Sequence, residues 1–136
     1  MVLNQATDYA LRMLLFLAKQ DNYYFVDATF ISEEEKIPKR FLFKIARDLI
    51  RVGMIKSIRG KNGGFMIWRN PEEITLYEVI EAIEGPILLN KCLIDSNKCN
   101  KNAAVRCFLR KELEKSRNGL IHKFQSINLK MLLEGA

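Results

Sequence analysis

Four cations recur along one side of the helix predicted between residues 38 and 52. These cations are Arg40, Lys44, Arg47 and Arg51. At 100° per helical residue they fall within about 60° of one another. The residues behind them are Leu42, Ile45 and Leu49. A solvated helix face usually mixes both signs of charge, but this helix has a single acid, Asp48. The pattern favours a surface that binds a polyanion such as double-stranded DNA over a merely solvated face.

The same helix supplies candidates for reading a DNA sequence. In a helix-turn-helix, the first turns of the second helix reach base edges in the major groove. The candidates in those turns are Lys39, Arg40, Phe43 and Lys44. Arg47 and Arg51 follow later in the helix, and we expect them to contact phosphates and set the register of the complex.

A second group of candidate DNA contacts lies in a basic, glycine-rich segment after this helix. Two short apolar runs, residues 55–58 and 65–68, flank the segment and predict a β-hairpin. Asn62 and Gly63 are expected to supply the positive φ angles of its turn. The tip residues are Arg59, Gly60 and Lys61. The hairpin could be an ordinary one. Its basic tip favours the alternative, a wing whose cations enter a minor groove of DNA.

The positive charge of the chain is concentrated in this region. The 136 residues carry a formal net charge of +6 at pH 7, yet residues 36–69 alone contain ten Lys or Arg and one Asp. A patch more basic than the whole molecule is the electrostatic footprint of a nucleic-acid partner. The length fits one domain with one added element, and 49% hydrophobic with 28% charged residues excludes a wholly disordered chain.

Helical periodicity places these groups in a winged helix-turn-helix head. Helices are predicted over residues 5–20, 28–36, 38–52 and 75–84. In the second of them, Phe30 and Ile31 are expected to point inward. Pro38 suits the first turn of the third helix, and Gly53 is expected to end it. The predicted fold is therefore mainly α with a small β-hairpin.

The second half of the chain is predicted to hold a sensor loop and a long helix. Apolar residues spaced by three, four and seven predict a helix from about residue 104, in which Gly119 is a point of potential breakage. The small head offers too little surface to bury this stripe, which indicates packing against a second copy. The predicted units are a DNA-binding domain over residues 1–86, a cysteine-containing sensor loop over residues 87–103, and a dimerisation helix with a C-terminal tail over residues 104–136.

Three cysteines, an odd number for a disulfide framework, lie in and after that loop. They are Cys92, Cys99 and Cys107, and each directly follows a basic residue, which favours the thiolate that metals bind. Their spacing matches neither a zinc finger nor a thioredoxin, so a metal or cluster site, a redox-sensing thiol and an inert thiol all stay open. A fourth ligand could be Asp95, Asp8 or a small molecule. His122 would lie about 22 Å from Cys107 along a straight helix, which is too far to bind the same metal or cluster.

Function classes other than DNA binding can be weighed in the same way. No basic-then-apolar leader opens the chain and no apolar run approaches the roughly 18 residues of a membrane span, so we expect a cytoplasmic protein without a membrane partner. An adaptor or metal-delivery protein remains an alternative, in which the basic face meets an acidic protein. An enzyme is disfavoured, because the lone histidine lies far from every cysteine and forms no nucleophile–base pair.

Three blocks of sequence together resemble a known family. Residues 7–12 read TDYALR, residues 59–65 read RGKNGGF, and residues 74–86 read ITLYEVIEAIEGP, with the three cysteines following. This pattern resembles the Rrf2 family of bacterial winged-helix transcription regulators over nearly the whole chain. The resemblance implies a homodimer whose long C-terminal helices cross and whose two wings grip a palindromic operator.

Three cysteines at this place are similar to the iron–sulfur-sensing branches of that family, those of IscR, NsrR and RirA. The resemblance implies an iron–sulfur cluster, lost readily in air, on Cys92, Cys99 and Cys107. Arg110 stands where the IscR branch has a histidine, and Asp8 matches the residue that completes a four-iron cluster from the partner subunit in the NsrR branch. A 4Fe-4S cluster is therefore favoured over a 2Fe-2S cluster.

The function that this resemblance implies is repression of transcription, with operator binding controlled by a cluster that senses nitric oxide, iron or redox state. The alternative is a cluster-free DNA-binding regulator whose thiols sense oxidants directly, through sulfenic acid or a disulfide.

Overall fold

The computed structural model describes residues 2–20, 24–101 and 107–135. The regular elements of the described chain are α1 (Gln5–Ala18), α2 (Ala28–Glu35), α3 (Lys39–Arg51), β1 (Ile55–Ile58), β2 (Gly64–Ile67), α4 (Leu76–Glu84), α5 (Phe108–Gln125) and α6 (Leu129–Glu134). Three short 3₁₀ turns lie at Pro71–Glu73, Lys91–Leu93 and Ser96–Lys98. The expectation of a mainly helical chain with one small antiparallel hairpin is confirmed. In these ranges no helix combines the length and hydropathy that crossing a membrane requires.

Polar side chains set where most of the helices of the head begin. The carboxamide of Asn4, the carboxylate of Asp27 and the hydroxyl of Thr75 accept hydrogen bonds from backbone amides in the first turns of α1, α2 and α4. Each cap satisfies an amide that has no partner inside the helix. Pro38 lies just before α3 rather than in its first turn, because its ψ of 135° is extended. Gly53 ends α3 as expected, with a φ of 75°.

The turn between α2 and α3 is held by its own hydrogen bonds. Lys36 adopts a left-handed φ of 56°, which reverses the chain direction after α2. The amide of Ile37 donates to the carbonyl of Ser32 at 3.0 Å, and the hydroxyl of Ser32 donates to the carbonyl of Ile37. Because Ile37 is itself buried, the turn is anchored in the core and fixes the angle at which α3 leaves α2.

The core of the head forms where α1, α3 and α4 meet. Its fully or nearly fully buried side chains include Met13, Leu14, Leu17, Leu42, Ile45, Leu49 and Ile80. The apolar side predicted for α3 is therefore confirmed. In α2 the expectation holds for Ile31, which is fully buried, but is wrong for Phe30, which is 50% exposed. Adjacent helical residues are 100° apart, so once Ile31 points at the core Phe30 packs at its edge, against the ring of Phe16.

The hairpin pairs Ile55 with Ile67 and Ile58 with Gly64, so five residues connect the strands. A two-residue turn at Asn62 and Gly63 was expected, and this expectation is wrong. The positive φ angles belong to Gly60 at 114° and Gly64 at 150°. The longer connection changes the turn geometry, and it is closed by a hydrogen bond from the Gly63 amide to the Gly60 carbonyl at 3.0 Å.

The base of the hairpin is clamped to the segment before α2. Val26 and Phe65 exchange two backbone hydrogen bonds, of 2.7 and 2.9 Å, which adds a third short strand position beside β2. Gly64 lies so close to this segment that a Cβ there would stand 2.0 Å from the carbonyl oxygen of Val26. The hairpin and the helix-turn-helix therefore form one unit.

The C-terminal region differs from expectation in two ways. α5 passes through Gly119 without a break, because one glycine costs only about 1 kcal/mol in an otherwise helical sequence. The helix is described from Phe108 onwards, with Cys107 as its N-terminal cap; the predicted start near residue 104 lies outside the described residues. None of the α5 residues is buried.

The second difference is that the C-terminal tail folds back onto the head. Asn128 pairs with Thr75 in a short β-bridge, and Leu129 at the start of α6 is fully buried in the core. Lys130 forms an ion pair with Glu72, and this hydrogen-bonded contact raises the pKa of Lys130 above its ordinary value. Both ends of the segment that follows α4 are thus attached to the same domain.

Replacing Gly64 by alanine should lower the free energy of unfolding by about 2–3 kcal/mol. The added Cβ meets the Val26 carbonyl, and the φ of 150° is unfavourable for any residue with a side chain. Equilibrium urea unfolding at fixed protein concentration measures the change.

The matched control is Gly119→Ala, since a Cβ there meets nothing within 4 Å and lies in α5. The free energy of unfolding of this variant should be about 1 kcal/mol higher than that of the parent. An unchanged unfolding midpoint for Gly64→Ala would contradict the close contact with Val26.

Candidate nucleic-acid interface and cysteine loop

The cations predicted to face DNA are exposed along one side of α3. They are Lys39, Arg40, Lys44, Arg47 and Arg51. Within the described ranges, no carboxylate forms an ion pair with the first four of them. Arg51 differs, because its guanidinium contacts Asp48 at 3.4 Å and donates to the Ala82 carbonyl at 3.2 Å. The N-terminal three turns of α3 therefore carry the unpaired positive charge, and the last cation also ties α3 to α4.

The wing stands beside α3 and encloses a concavity of about 540 Å³ with it. Residues from both elements line this concavity, among them Phe43, Arg47, Ile50, Ile58, Arg59 and Gly60. The structure thus brings predicted residues of the helix and of the wing to one surface. Lys61 is exposed at the tip of the wing but does not line the concavity.

Phe43 is held in place although it is half exposed. Its ring centroid lies 6.2 Å from that of Phe65, at an interplanar angle of 58°. Phe65 is 6% exposed and belongs to the clamped base of the wing. A tilted aromatic pair of this kind adds roughly 0.5–1.5 kcal/mol beyond area burial. Phe43 is therefore an apolar group with a favoured orientation beside the cations of α3.

Two residues of this surface, and one contact at the base of the wing, were not singled out from the sequence. Ile50 and Ile58 line the concavity with large apolar side chains that stay exposed. The ammonium of Lys56 lies 3.2 Å from the ring centroid of Trp68 at the base of the wing. Ile50 could have been identified from the sequence, because its seven-residue spacing from Phe43 is typical of one helix face. Ile58 could not, because only the folded hairpin places it opposite Phe43.

Asp8, a predicted cluster ligand, has two partners within its own helix. Its carboxylate pairs with Arg12 at 2.7 Å and accepts a hydrogen bond from the side-chain carboxamide of Gln5 at 3.2 Å. Arg12 in turn donates to the carbonyl of Glu35 at 3.3 Å. Glu35 is the last residue of α2, one position before Lys36. A chain of contacts therefore runs from the first turn of α1 to the turn that precedes α3.

The start of α1 is also bonded to the end of α4. The carboxylate of Glu84 accepts hydrogen bonds from the hydroxyl of Thr7 and from the backbone amide of Asn4. Thr7 is fully buried, and Glu84 is followed directly by Gly85, whose φ is 84°. The residue next to Asp8 is thereby fixed to the point where the chain leaves the head for the cysteine loop.

Arg110 connects two of the three cysteines. Its backbone amide donates to the Sγ atom of Cys107 at 3.4 Å, and its guanidinium Nε donates to the carbonyl of Cys92 at 3.3 Å. Cys99 follows the second 3₁₀ turn of the loop. All three cysteines are partly buried, and none of them forms a disulfide. A third contact, from the guanidinium of Arg117 to the carbonyl of Ile87, attaches the beginning of the loop to α5.

The donor chemistry of this loop fits an iron–sulfur cluster, since clusters are held by cysteine thiolates and these thiols are not consumed by disulfides. The geometry is less complete. Among the described residues, no group of three or more His, Cys, Asp or Glu side chains converges as a metal site. His122, set aside from the sequence, is exposed on α5. The three cysteines are therefore suitable donors that the described part of the chain does not bring together as a ligand set.

Comparisons with known proteins agree with this architecture. A family model described as "Rrf2: Iron-dependent Transcriptional regulator" matches residues 3–135. The chain is 35% identical over 107 residues to the HTH-type transcriptional regulator NsrR of Shouchella clausii, which covers 78% of this chain and 72% of that protein.

Two solved structures are similar in fold. CymR, the global cysteine regulator of B. subtilis, matches with a TM-score of 0.78 at 23% identity, over 100% of this chain and 98% of that one. IscR of T. potens matches with a TM-score of 0.72 at 21% identity, over 99% and 88%. The expectations of a winged-helix fold and of a protein that is not an enzyme are confirmed. The family match over nearly the whole length shows that this chain belongs to the Rrf2 family of transcriptional regulators.

Proposed function

We propose that this regulator is a homodimeric repressor that binds a palindromic operator through α3 and the wing. We further propose that an iron–sulfur cluster on Cys92, Cys99 and Cys107, completed by Asp8 of the partner subunit, sets its operator affinity. The observation that carries the DNA-binding part is the one-sided charge of α3.

The roles proposed for the exposed cations follow from their places on α3. Lys39, Arg40 and Lys44 lie in its first two turns, the part of a recognition helix that reaches base edges. Arg47, further along, would contact phosphate, as would Arg51 after leaving Asp48. Arg59 and Lys61 would follow the wing into a minor groove, where narrow width strengthens the attraction for cations.

Exposed apolar surface on and beside α5 supports the homodimer. Phe108 and Leu109 are 74% and 61% exposed at its N-terminal end. Leu120 and Phe124 line an open groove of about 340 Å³ with the end of α4. An 18-residue helix with no buried residue and two exposed large apolar side chains is suited to packing against a second copy.

The family description, an iron-dependent transcriptional regulator, supports an iron-containing signal. When bound, the cluster would supply a centre that responds to nitric oxide, iron or redox state. The chain's own residues couple this loop to DNA binding. Arg110 positions Cys92 and Cys107, and the Asp8–Arg12 pair reaches the end of α2.

Moving Asp8 away from Arg12 would leave a guanidinium without its carboxylate beside the turn that orients α3. Recognition helices of a dimer must match half-sites about 34–36 Å apart, so a small change of angle weakens binding. A coupling of about 1–3 kcal/mol, equivalent to a 5–150-fold change in affinity, is sufficient for such a switch.

Removing one phosphate-contacting cation should weaken DNA binding and flatten its salt dependence. In the proposed dimer Arg47→Gln removes one cation from each subunit, so it should reduce the slope of log affinity against log salt by about 1.8, which is about 0.9 per subunit. Fluorescence anisotropy with a labelled duplex at several salt concentrations measures the slope. Lys123→Gln on α5 removes the same charge from another surface and should leave the slope unchanged. Equal slopes for Arg47→Gln and the parent would contradict a phosphate contact, and duplex binding without any steep salt dependence would favour the adaptor alternative.

Placing a charge on the exposed apolar end of α5 should separate the subunits. Leu109→Glu should sediment as a monomer in analytical ultracentrifugation at concentrations where the parent is a dimer, because an unpaired carboxylate would be buried in the interface. Its circular dichroism should be unchanged, since Leu109 is exposed within one chain. Leu109→Met keeps an apolar contact and should remain dimeric. A dimeric Leu109→Glu variant would place the interface elsewhere.

Anaerobic reconstitution tests the cluster. The parent should bind iron and sulfide and absorb visible light, and Cys92→Ala, Cys99→Ala and Cys107→Ala should each lose most of the bound iron. Removing the cluster from the parent should change operator affinity 5–150-fold. Cysteine variants that bind operator identically to the reconstituted parent would contradict the switch. A colourless, iron-free parent that still responds to peroxide would favour direct thiol sensing.

A further inference from the structure

The most cationic surface of the molecule contains three exposed, large apolar side chains. Phe43, Ile50 and Ile58 are 49%, 39% and 51% exposed, and all three line the concavity between α3 and the wing. Contiguous apolar groups at a surface mark a contact with a partner. Cations alone would be sufficient for binding phosphates, so these side chains need a different explanation.

The charge around this concavity decides what kind of partner fits it. Arg47 and Arg59 belong to its lining, and no carboxylate pairs with either among the described residues. The one acid in the described lining is Asp27, whose carboxylate is occupied by the backbone amides at the start of α2. An apolar floor with a cationic rim disfavours a cationic partner and is complementary to a polyanion with apolar groups, such as DNA.

DNA offers one apolar group in its major groove, the C5-methyl of thymine. Phe43 has no hydrogen-bonding group, so it cannot read the donor and acceptor pattern of a base edge. It can read the presence and position of a methyl group. Its contact with Phe65, which is hydrogen-bonded through its backbone to Val26, favours one orientation of the ring before DNA arrives.

We propose that Phe43, flanked by Ile50 and Ile58, is a specificity-determining group that recognises the C5-methyl of a thymine in each operator half-site. This inference rests on the proposed role of α3 as the recognition helix. It assigns specificity at that position to apolar contact and leaves phosphate anchoring to the neighbouring cations.

The test compares thymine with deoxyuridine, which lacks only the methyl group and keeps the same base pairing. The full-length protein first selects its own operator from a random duplex pool. Each thymine of the selected half-site is then replaced by deoxyuridine, symmetrically in both half-sites, and affinity is measured by anisotropy. One position should lose affinity about three- to tenfold per half-site for the parent, the effect of removing one buried methyl.

Variants of Phe43 connect that effect to this residue. Phe43→Ala should bind the thymine and deoxyuridine duplexes equally and keep the parent's salt dependence, whereas Phe43→Met keeps an apolar contact and should still prefer thymine. Lys44→Gln is the matched control, because it should weaken binding to both duplexes by the same factor. Circular dichroism of each variant checks that it is folded.

Two different failures can be told apart. A parent that binds its selected operator but tolerates deoxyuridine at every position overturns the inference and leaves the proposed function intact. So does a Phe43→Ala variant with the parent's full preference for thymine. A parent that binds no duplex overturns the proposed function and, with it, this inference.

Discussion

The burial of one side of α3 against the other helices of the head is the interaction on which the rest of the structure depends. The side chains of Leu42, Ile45 and Leu49 lose nearly all contact with solvent. The burial of each contributes about 1.5–3 kcal/mol to the stability of the folded state. On the other side, like charges at positions such as Arg40 and Lys44 repel by about 0.2–0.5 kcal/mol per pair. Burial exceeds repulsion several-fold, so the head can keep a row of unneutralised cations. A polyanion that binds this row also relieves the repulsion between its cations. Its binding is therefore more favourable than its attraction to the same charges held apart.

The second requirement is that this row keeps a fixed relation to the wing. The turn at Lys36 is anchored by Ser32 and the buried Ile37, and the wing is attached to the segment before α2 through Val26 and Phe65. Each attachment uses backbone groups, which cannot change rotamer as an exposed side chain can. The backbones of α3 and the wing are consequently held in one relation before any ligand arrives, which reduces the entropy lost on binding.

Much of this architecture could be predicted from the sequence, because helical periodicity and capping residues are local signals. The failures occurred where the structure depends on contacts distant in sequence. Phe30 and Ile31 are equally apolar, and only the position of α1 decides which one is buried. The return of the chain at Asn128 depends on pairing with Thr75, which no local pattern reveals. The concavity could not be predicted without the strand register that places Ile58 beside Phe43. The positions of the cysteine side chains could not be predicted either, because a loop has no periodic pattern.

The bridge between Thr75 and Asn128 has a consequence for how length is tolerated in this protein. Because the chain leaves the head after Glu84 and rejoins it at the start of α4, everything between is a closed circuit with both ends fixed to one body. A change of length between α5 and Asn128 would shift α5 relative to the buried Leu129, because only Ser126 and Ile127 connect α5 to Asn128. Surface loops elsewhere tolerate such changes at a small entropic cost.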